Sequence, residues 1–314
     1  MTSQTDNHMD KKYKRKDDDI INISNSEKKI FKKFTKREYV EYYKKIANIM
    51  LHSIRKRPIV MYRFPNGADK EGFYQKNKPN SFPSWIEHIK IKKKEGEVDY
   101  IICNNKECLI YVASQVGEIH TWTSTTENLG YPDKMVFDID PSEKNSVLLK
   151  NTVLKLKQLL TDIGLNPYLL ATGKKGYHII VPIKPKNSND KVREFALKIA
   201  KVIEQDNPKN ITTELSKNKR INKIFIDINR NSPQQTSISP YSVRATLTAT
   251  VALPIFWEEL RKTNPDSFDI NDVLKRMQTK SDPLKYFYKN SKSLNKIMKK
   301  LKKDINKETK KGES

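Results

Sequence analysis

A chain of 314 residues with 36% hydrophobic and 9% aromatic residues can bury one large core or two packed sub-domains. Its two cysteines, Cys103 and Cys108, are too few for a disulfide framework and no zinc-ligand pattern surrounds them, so they read as reduced thiols, with Cys108 in the core. The formal charge of +24, from 61 Lys and Arg against 37 Asp and Glu, points to a polyanionic partner, nucleic acid first, although a compositional bias toward lysine accounts for part of it; with no signal-like N-terminus and no membrane-length apolar run, the chain is expected in the cytoplasm, beside the nucleoid.

Residues 1–22 are polar and aperiodic, which predicts a disordered tail. In TKREYVEYYKKIANIMLHSI, Tyr39, Tyr43, Ile46, Met50 and Leu51 recur at helical spacing, with Thr35 as the cap. RPIVMYRF then reads as a strand, PNGADKEG as a turn, VDYIIC as a strand, KECLIYVASQ as a short buried helix and GEIHTWTS as an alternating strand. MVFDID is a buried strand that leads into the helix SVLLKNTVLKLKQLLTDIG, closing on Gly164. PYLLATGKKGYHIIVPI gives two strands across a Gly-Lys-Lys-Gly turn, followed by the helix DKVREFALKIAKVIEQD, the buried strand KIFIDIN and an alternating β segment, SVRATLTATVALP. This mixed order predicts an α+β domain over 23–285 with a central, largely antiparallel sheet flanked by helices. In the basic segment 286–314, Leu294, Ile297, Met298, Leu301 and Ile305 form one helical stripe.

Alternate residues of a strand share a face, so Asp138 and Asp140 project together, away from Met135, Phe137 and Ile139. Asp227 likewise lies opposite Ile224, Ile226 and Ile228. Carboxylates in strands this apolar are costly unless a cation neutralises them, and their hard oxygens suit Mg²⁺ or Mn²⁺. Three could serve two ions, the arrangement that activates a 3′-hydroxyl and stabilises leaving pyrophosphate. A bare D-x-D equally fits a helix cap at Asp140 or a phosphoaspartyl hydrolase with Asp138 as nucleophile, though the Gly-Asp that hydrolase family needs downstream occurs nowhere in the chain.

ATGKKGYHIIV gathers Thr172, Gly173, Lys175, Gly176 and His178, a set that suits a triphosphate through glycine amides and cationic side chains, or simply an ordinary β-turn with an inward histidine. No P-loop is present. His120 fits a core histidine as well as a phosphate contact. Arg220 and Arg244 are candidates for phosphate because a guanidinium fork matches it. Phe73 and Tyr74, ahead of Lys76, combine aromatic faces with a cation, as base stacking requires.

In order and spacing, MVFDIDPSE, ATGKKGYHIIVP and KIFIDINRNSPQQTSISPYSVRATLTATVALPIFWEEL resemble the three motifs of the archaeo-eukaryotic primase superfamily, closest to the polymerase domain of bacterial ligase D. NSEKKIF, TKREYVEYY, RPIVMYRFPNGADKEGFYQKN and SFPSWI are similar to further blocks of that family, so the likeness runs from about Asn25 to about Met277. It implies that Asp138, Asp140 and Asp227 hold two Mn²⁺ or Mg²⁺ ions. It implies that His120, Thr172, Gly173, Lys175, His178, Arg220 and Arg244 handle the incoming NTP or dNTP. Asn25, Lys28 and Lys36 would meet a downstream 5′-phosphate, with Arg63, Phe73, Tyr74 and Lys76 also on DNA. Thr172 replaces the family's common serine but keeps the hydroxyl. The expected activity is nucleotide addition at gaps or broken ends in non-homologous end joining. A replicative primase and a non-catalytic end-binding module are the alternatives. No K-x-D-G ligase motif occurs, so a separate DNA ligase and a Ku-type end-binding protein are the expected partners.

Overall fold

The computed structural model describes residues 21, 23–93, 95–143 and 145–300. The expected tail at 1–22 lies outside these residues apart from Ile21, as do Leu301 and Ile305 of the C-terminal stripe. In chain order the elements are α1 (Lys36–Ile54), β1 (Pro58–Arg63), β2 (Phe73–Gln75), β3 (His88–Lys92), β4 (Glu97–Ile102), α2 (Lys106–Ser114), β5 (Gly117–Trp122), β6 (Lys134–Pro141) and α3 (Ser146–Asp162), followed by β7 (Tyr168–Ala171), β8 (Tyr177–Pro182), α4 (Asn189–Asp206), β9 (Ile211–Thr212), β10 (Ile224–Asp227), β11 (Thr236–Ile238), β12 (Leu253–Ile255) and α5 (Ile270–Thr279). The architecture is α+β and its strand pairing overwhelmingly antiparallel. The strands form two six-stranded sheets instead of one: β11-β5-β1-β4-β3 with β2 on β1, and β12-β7-β8-β6-β10-β9.

Thr35 starts α1 as expected, in a capping box: Glu38 N donates to Thr35 Oγ1 (3.2 Å) and Thr35 N to Glu38 Oε2 (2.7 Å). The buried tyrosines of this helix each satisfy their hydroxyl on distant backbone. Tyr39 donates to Gly117 O (2.7 Å), Tyr42 donates to Tyr241 O (2.9 Å), and Tyr43 accepts from Val243 N (3.0 Å). An apolar helix face thereby also fixes the start of β5 and the chain that leads to β12.

The segment SVRATLTATVALP departs from expectation. Only Leu253–Ile255 is strand; before it the chain doubles back, with a Val243–Val251 bridge, Arg244 N on Thr250 O (2.7 Å) and Ala249 at φ 54°. Alternating β-branched residues predicted an extended segment, but the local Thr246–Thr250 hydroxyl bond (2.8 Å) closes a loop. After α5 the chain returns to the body: Phe287 and Leu294 are buried, and residues 294–300 are helical.

Candidate active site

The register of the second sheet assembles the cleft floor. On β6, Asp138 lies directly opposite Asp227 of β10 on one side and His178 of β8 on the other. Asp140 follows on the same face, opposite Phe225. Gly176 lets the β7–β8 turn lie against this strand: a Cβ there would stand 2.1 Å from Ile139 O and 2.3 Å from Asp140 Oδ1. Above the floor opens a cavity of about 1080 Å³, walled on its other side by Tyr74, Tyr100, His120 and Ile238 of the first sheet.

Asp138 is 4% exposed, accepts from Arg230 Nε at 2.9 Å and lies 3.2 Å from His178 Nε2. Burial opposes its ionisation, but His178 and Arg230 hold its carboxyl well below the usual carboxylate range. Asp140 has the opposite fate, because burial and the neighbouring Asp138 charge push it up to about 7. Asp227 does not line the cavity; its carboxylate accepts from Asn229 N (2.8 Å) and Nδ2 (3.0 Å) and lies 3.8 Å from Arg230 Nε. Among the described residues no three acidic, imidazole or thiol groups are gathered around one point as a metal ion requires. The donor chemistry nevertheless fits a divalent cation. Asp138 and Asp140 are hard oxygen donors so close that one resists ionisation, which a cation would relieve, and Asp227 shares their face. Arg230 is the counter-charge in this arrangement and would have to withdraw.

The β7–β8 turn forms one wall. Thr172 Oγ1 donates to Gly176 O (2.7 Å), so its hydroxyl closes the turn. Gly173, at φ 73°, donates its amide to Pro265 O (2.8 Å). The expectation that its amide meets an anion is therefore corrected: glycine is needed because a Cβ would stand 2.7 Å from Arg244 Cγ and 2.9 Å from Val251. Lys174 and Lys175 both line the cavity, together with His178 and Arg244. Arg244 Nη1 donates to Thr172 O (3.1 Å). Arg220 reaches the rim from a 3-10 turn, held by the carbonyls of Glu214 and Leu215, with its guanidinium 3.5 Å from the Phe225 ring centroid. His120 lines the first-sheet side, 3.1 Å from Glu118 Oε2.

A second cationic group forms at the N-terminal end. Asn25 adopts φ 52° in a tight turn beside a recess lined by residues 23–28. Lys36 Nζ donates to Ser24 O (2.9 Å) and Lys28 Nζ to Pro65 O (2.9 Å). Partial burial and the nearby Arg63 and Lys28 charges hold the Lys36 ammonium below its ordinary range. Arg63 also binds Gln75 Oε1 (2.8 Å) and lies over the Phe73 ring. Phe73 and Tyr74 are 49% and 64% exposed on β2, and Lys76 lines the main cavity.

Sequence reasoning missed Arg230, Lys174 and Glu118. Arg230 stood in view within DINRN, three residues from Asp227, and Lys174 within the Gly-Lys-Lys-Gly turn. Glu118 carried no signal beyond its alternation with His120.

Two largely antiparallel sheets that enclose a cleft with acidic residues at its floor and basic residues in its walls define the primase–polymerase class of fold. Residues 35–284 match the model of the LigD primase-polymerase domain, and the chain belongs to that family. It is 35% identical over 254 residues to the multifunctional non-homologous end joining protein LigD of Mycolicibacterium smegmatis, covering 80% of this chain and 33% of that protein. With the bifunctional LigD of Bacillus subtilis it shares 28% identity over 276 residues, 86% of this chain and 44% of that one. The chain thus spans less than half the length of these curated relatives. The solved polymerase domain of Mycobacterium tuberculosis ligase D, in complex with DNA, superposes with a TM-score of 0.80 at 28% identity, covering 87% of this chain and 99% of that one.

Proposed function

We propose that this chain is a DNA repair polymerase that adds nucleotides to a DNA 3′-hydroxyl at gaps and broken ends during non-homologous end joining. The observation that carries it is the rung Asp227–Asp138–His178 with Asp140 beside it, laid under a basic cleft large enough for a nucleotide and a primer end. The relatives' end-joining names and the DNA bound to the solved neighbour support the same reading. Asp138, Asp140 and Asp227 would hold divalent cations, Mn²⁺ or Mg²⁺, which supply charge neutralisation at the reacting phosphate and a more acidic 3′-hydroxyl. His178 fixes the orientation of Asp138. Lys175, Lys174, Arg244 and Arg220 face the triphosphate with fixed positive charge, and Phe73 and Tyr74 offer rings for a template base. Asn25, Lys28 and Lys36 receive the 5′-phosphate across the gap. The filled gap then needs a DNA ligase, with a Ku-type protein holding the ends.

The test is primer extension with Mn²⁺ on a gapped duplex, with and without a downstream 5′-phosphate, beside unprimed template. The expected result is extension on the gap, greatest with the 5′-phosphate, and its loss in Asp138→Ala with DNA affinity retained. Unchanged extension by that variant refutes the assigned chemistry, and equal synthesis on unprimed template would favour a primase instead.

A further inference from the structure

Behind the basic wall of the cleft lies a buried carboxylate that touches three of the side chains facing the cavity. Glu118 on β5 is 2% exposed, and no role given above uses it. Its Oε1 accepts from the Ala245 amide at 2.8 Å and lies 2.8 Å from Lys174 Nζ. Its Oε2 lies 3.1 Å from His120 Nε2 and 3.3 Å from Arg244 Nη2. These partners come from the first sheet, from the β7–β8 turn of the second, and from the loop before β12. Burial alone would raise its pKa, but His120, Arg244 and Lys174 hold the carboxyl well below the usual range, so Glu118 stays ionised. Without an anion among them, Lys174, Arg244 and any charge on His120 would repel, and among the described residues Glu118 is the one polar partner of the Lys174 side chain. Arg244 Nε, meanwhile, is buried with no hydrogen-bond partner among the described residues, a donor left over in the wall of the cleft.

We propose that Glu118 is a positioning residue that locks His120, Lys174 and Arg244 into one preformed wall for the triphosphate of the incoming nucleotide. The inference rests on the polymerase reading above. Both carboxylate oxygens are saturated by the protein, so Glu118 acts on the nucleotide through these three side chains and not as a free negative charge. Donors already aimed at an anion need no reorganisation when it arrives. Contacts made equally to bound substrate and transition state govern KM more than kcat.

Glu118→Gln keeps the shape and an acceptor for the Ala245 amide but removes the charge that aligns the cations. Nucleotide KM is expected to rise by about tenfold or more while kcat stays within about threefold. Direct binding of a non-hydrolysable nucleoside triphosphate with Mn²⁺, without DNA, should weaken in parallel, with affinity for gapped DNA and thermal melting near those of the parent protein. An unchanged or lowered KM overturns the proposal, the latter because it would mean that the carboxylate merely competes with the phosphates. So does a fall in kcat at unchanged KM. If Glu118→Gln does not fold, Glu118→Asp carries the same test, since withdrawing the charge by one methylene should raise KM by about threefold or more, and no rise overturns it. Failure of the parent protein to bind the nucleotide or extend a primer would instead remove the polymerase reading itself.

Discussion

Lys134 opens the strand that ends in Asp138 and Asp140, yet its own surroundings suit a charge poorly. It is 4% exposed, and Thr121 Oγ1 at 3.4 Å is its hydrogen-bond partner. Burial and the nearby Arg57 guanidinium bring its ammonium down to about 7 from an ordinary 10.5. Because the folded value is the lower one, the unfolded chain binds more protons between these two pH values. Stability at this residue therefore rises as pH climbs from about 7 toward 10.5, and the cost is felt in full below about 7. Lys134→Met, similar in length and uncharged, should stabilise the protein, by roughly 3 kcal/mol more at pH 6 than at pH 9.5. Urea unfolding at both values reads the difference, and an equal gain at each would show that the amine carries no such burden. The same strand shows how far single residues can be read from sequence. Parity alone places Asp138, Asp140 and Asp227 on their faces. Parity does not tell which cations, coming from residues 174, 230 and 244, will meet a given acid, because those contacts depend on how two sheets close over each other.

At the scale of elements, β10 is too short for its neighbour. It ends at Asp227, while β6 begins at Lys134, so the β10 side of Val136 lacks a strand partner. Asn231, fully buried in the turn after β10, fills the gap with its side chain: Oδ1 accepts from Val136 N (2.8 Å), and Nδ2 donates to Val136 O (2.7 Å) and Ile228 O (2.8 Å). One amide thus extends the ladder by a rung and fixes the turn that carries Arg230. Asn231→Ala would leave the buried Val136 N and O without these partners, at ~1–3 kcal/mol each, while Ile228 O keeps the backbone amide of residue 231, so a total loss of roughly 2–5 kcal/mol is expected in denaturant unfolding. Nucleotide addition should also fall at temperatures where the variant remains folded, since Asp227 and Arg230 flank the turn; full activity in a folded variant would mean that the turn holds without it. Long periodic elements such as α1, α3 and α4 were legible because apolar spacing and caps agree over several turns. β3, β9, β11 and α5 were not. β3 is a half-exposed edge strand of alternating lysine and isoleucine, β9 is two residues long, β11 is the triplet Thr-Ser-Ile with a single apolar residue, and α5 buries only Ile270 and Val273. A division into two sheets cannot be read from strands taken one at a time, because it is decided by which distant strands pair.

Across the whole molecule, the charge of +24 is not a uniform coat. The structure resolves two basic groups with different surroundings. In the main cleft Lys174 and Arg244 are paired with the buried Glu118, whereas Lys28, Lys36 and Arg63 crowd together near an N-terminal recess, where partial burial first, and then the Arg63 and Lys28 charges, lower the pKa of Lys36. Among the described residues none of these three cations is ion-paired with an acid, and such a cluster stores repulsion that an incoming phosphate dianion releases, so this group should contribute to affinity chiefly when that phosphate is present. Two consequences are separable. DNA affinity should fall with salt, with a log–log slope on the order of −5 for several phosphate contacts in duplex DNA. Lys36→Ala should flatten that slope by about one and reduce the preference for gaps bearing a 5′-phosphate by roughly tenfold, leaving affinity for the unphosphorylated gap nearly intact. Titrations of fluorescent gapped duplexes across a salt series measure both quantities. If Lys36→Ala weakened both gaps equally, its charge would belong to the general attraction for the backbone and the N-terminal cluster would have no dedicated ligand.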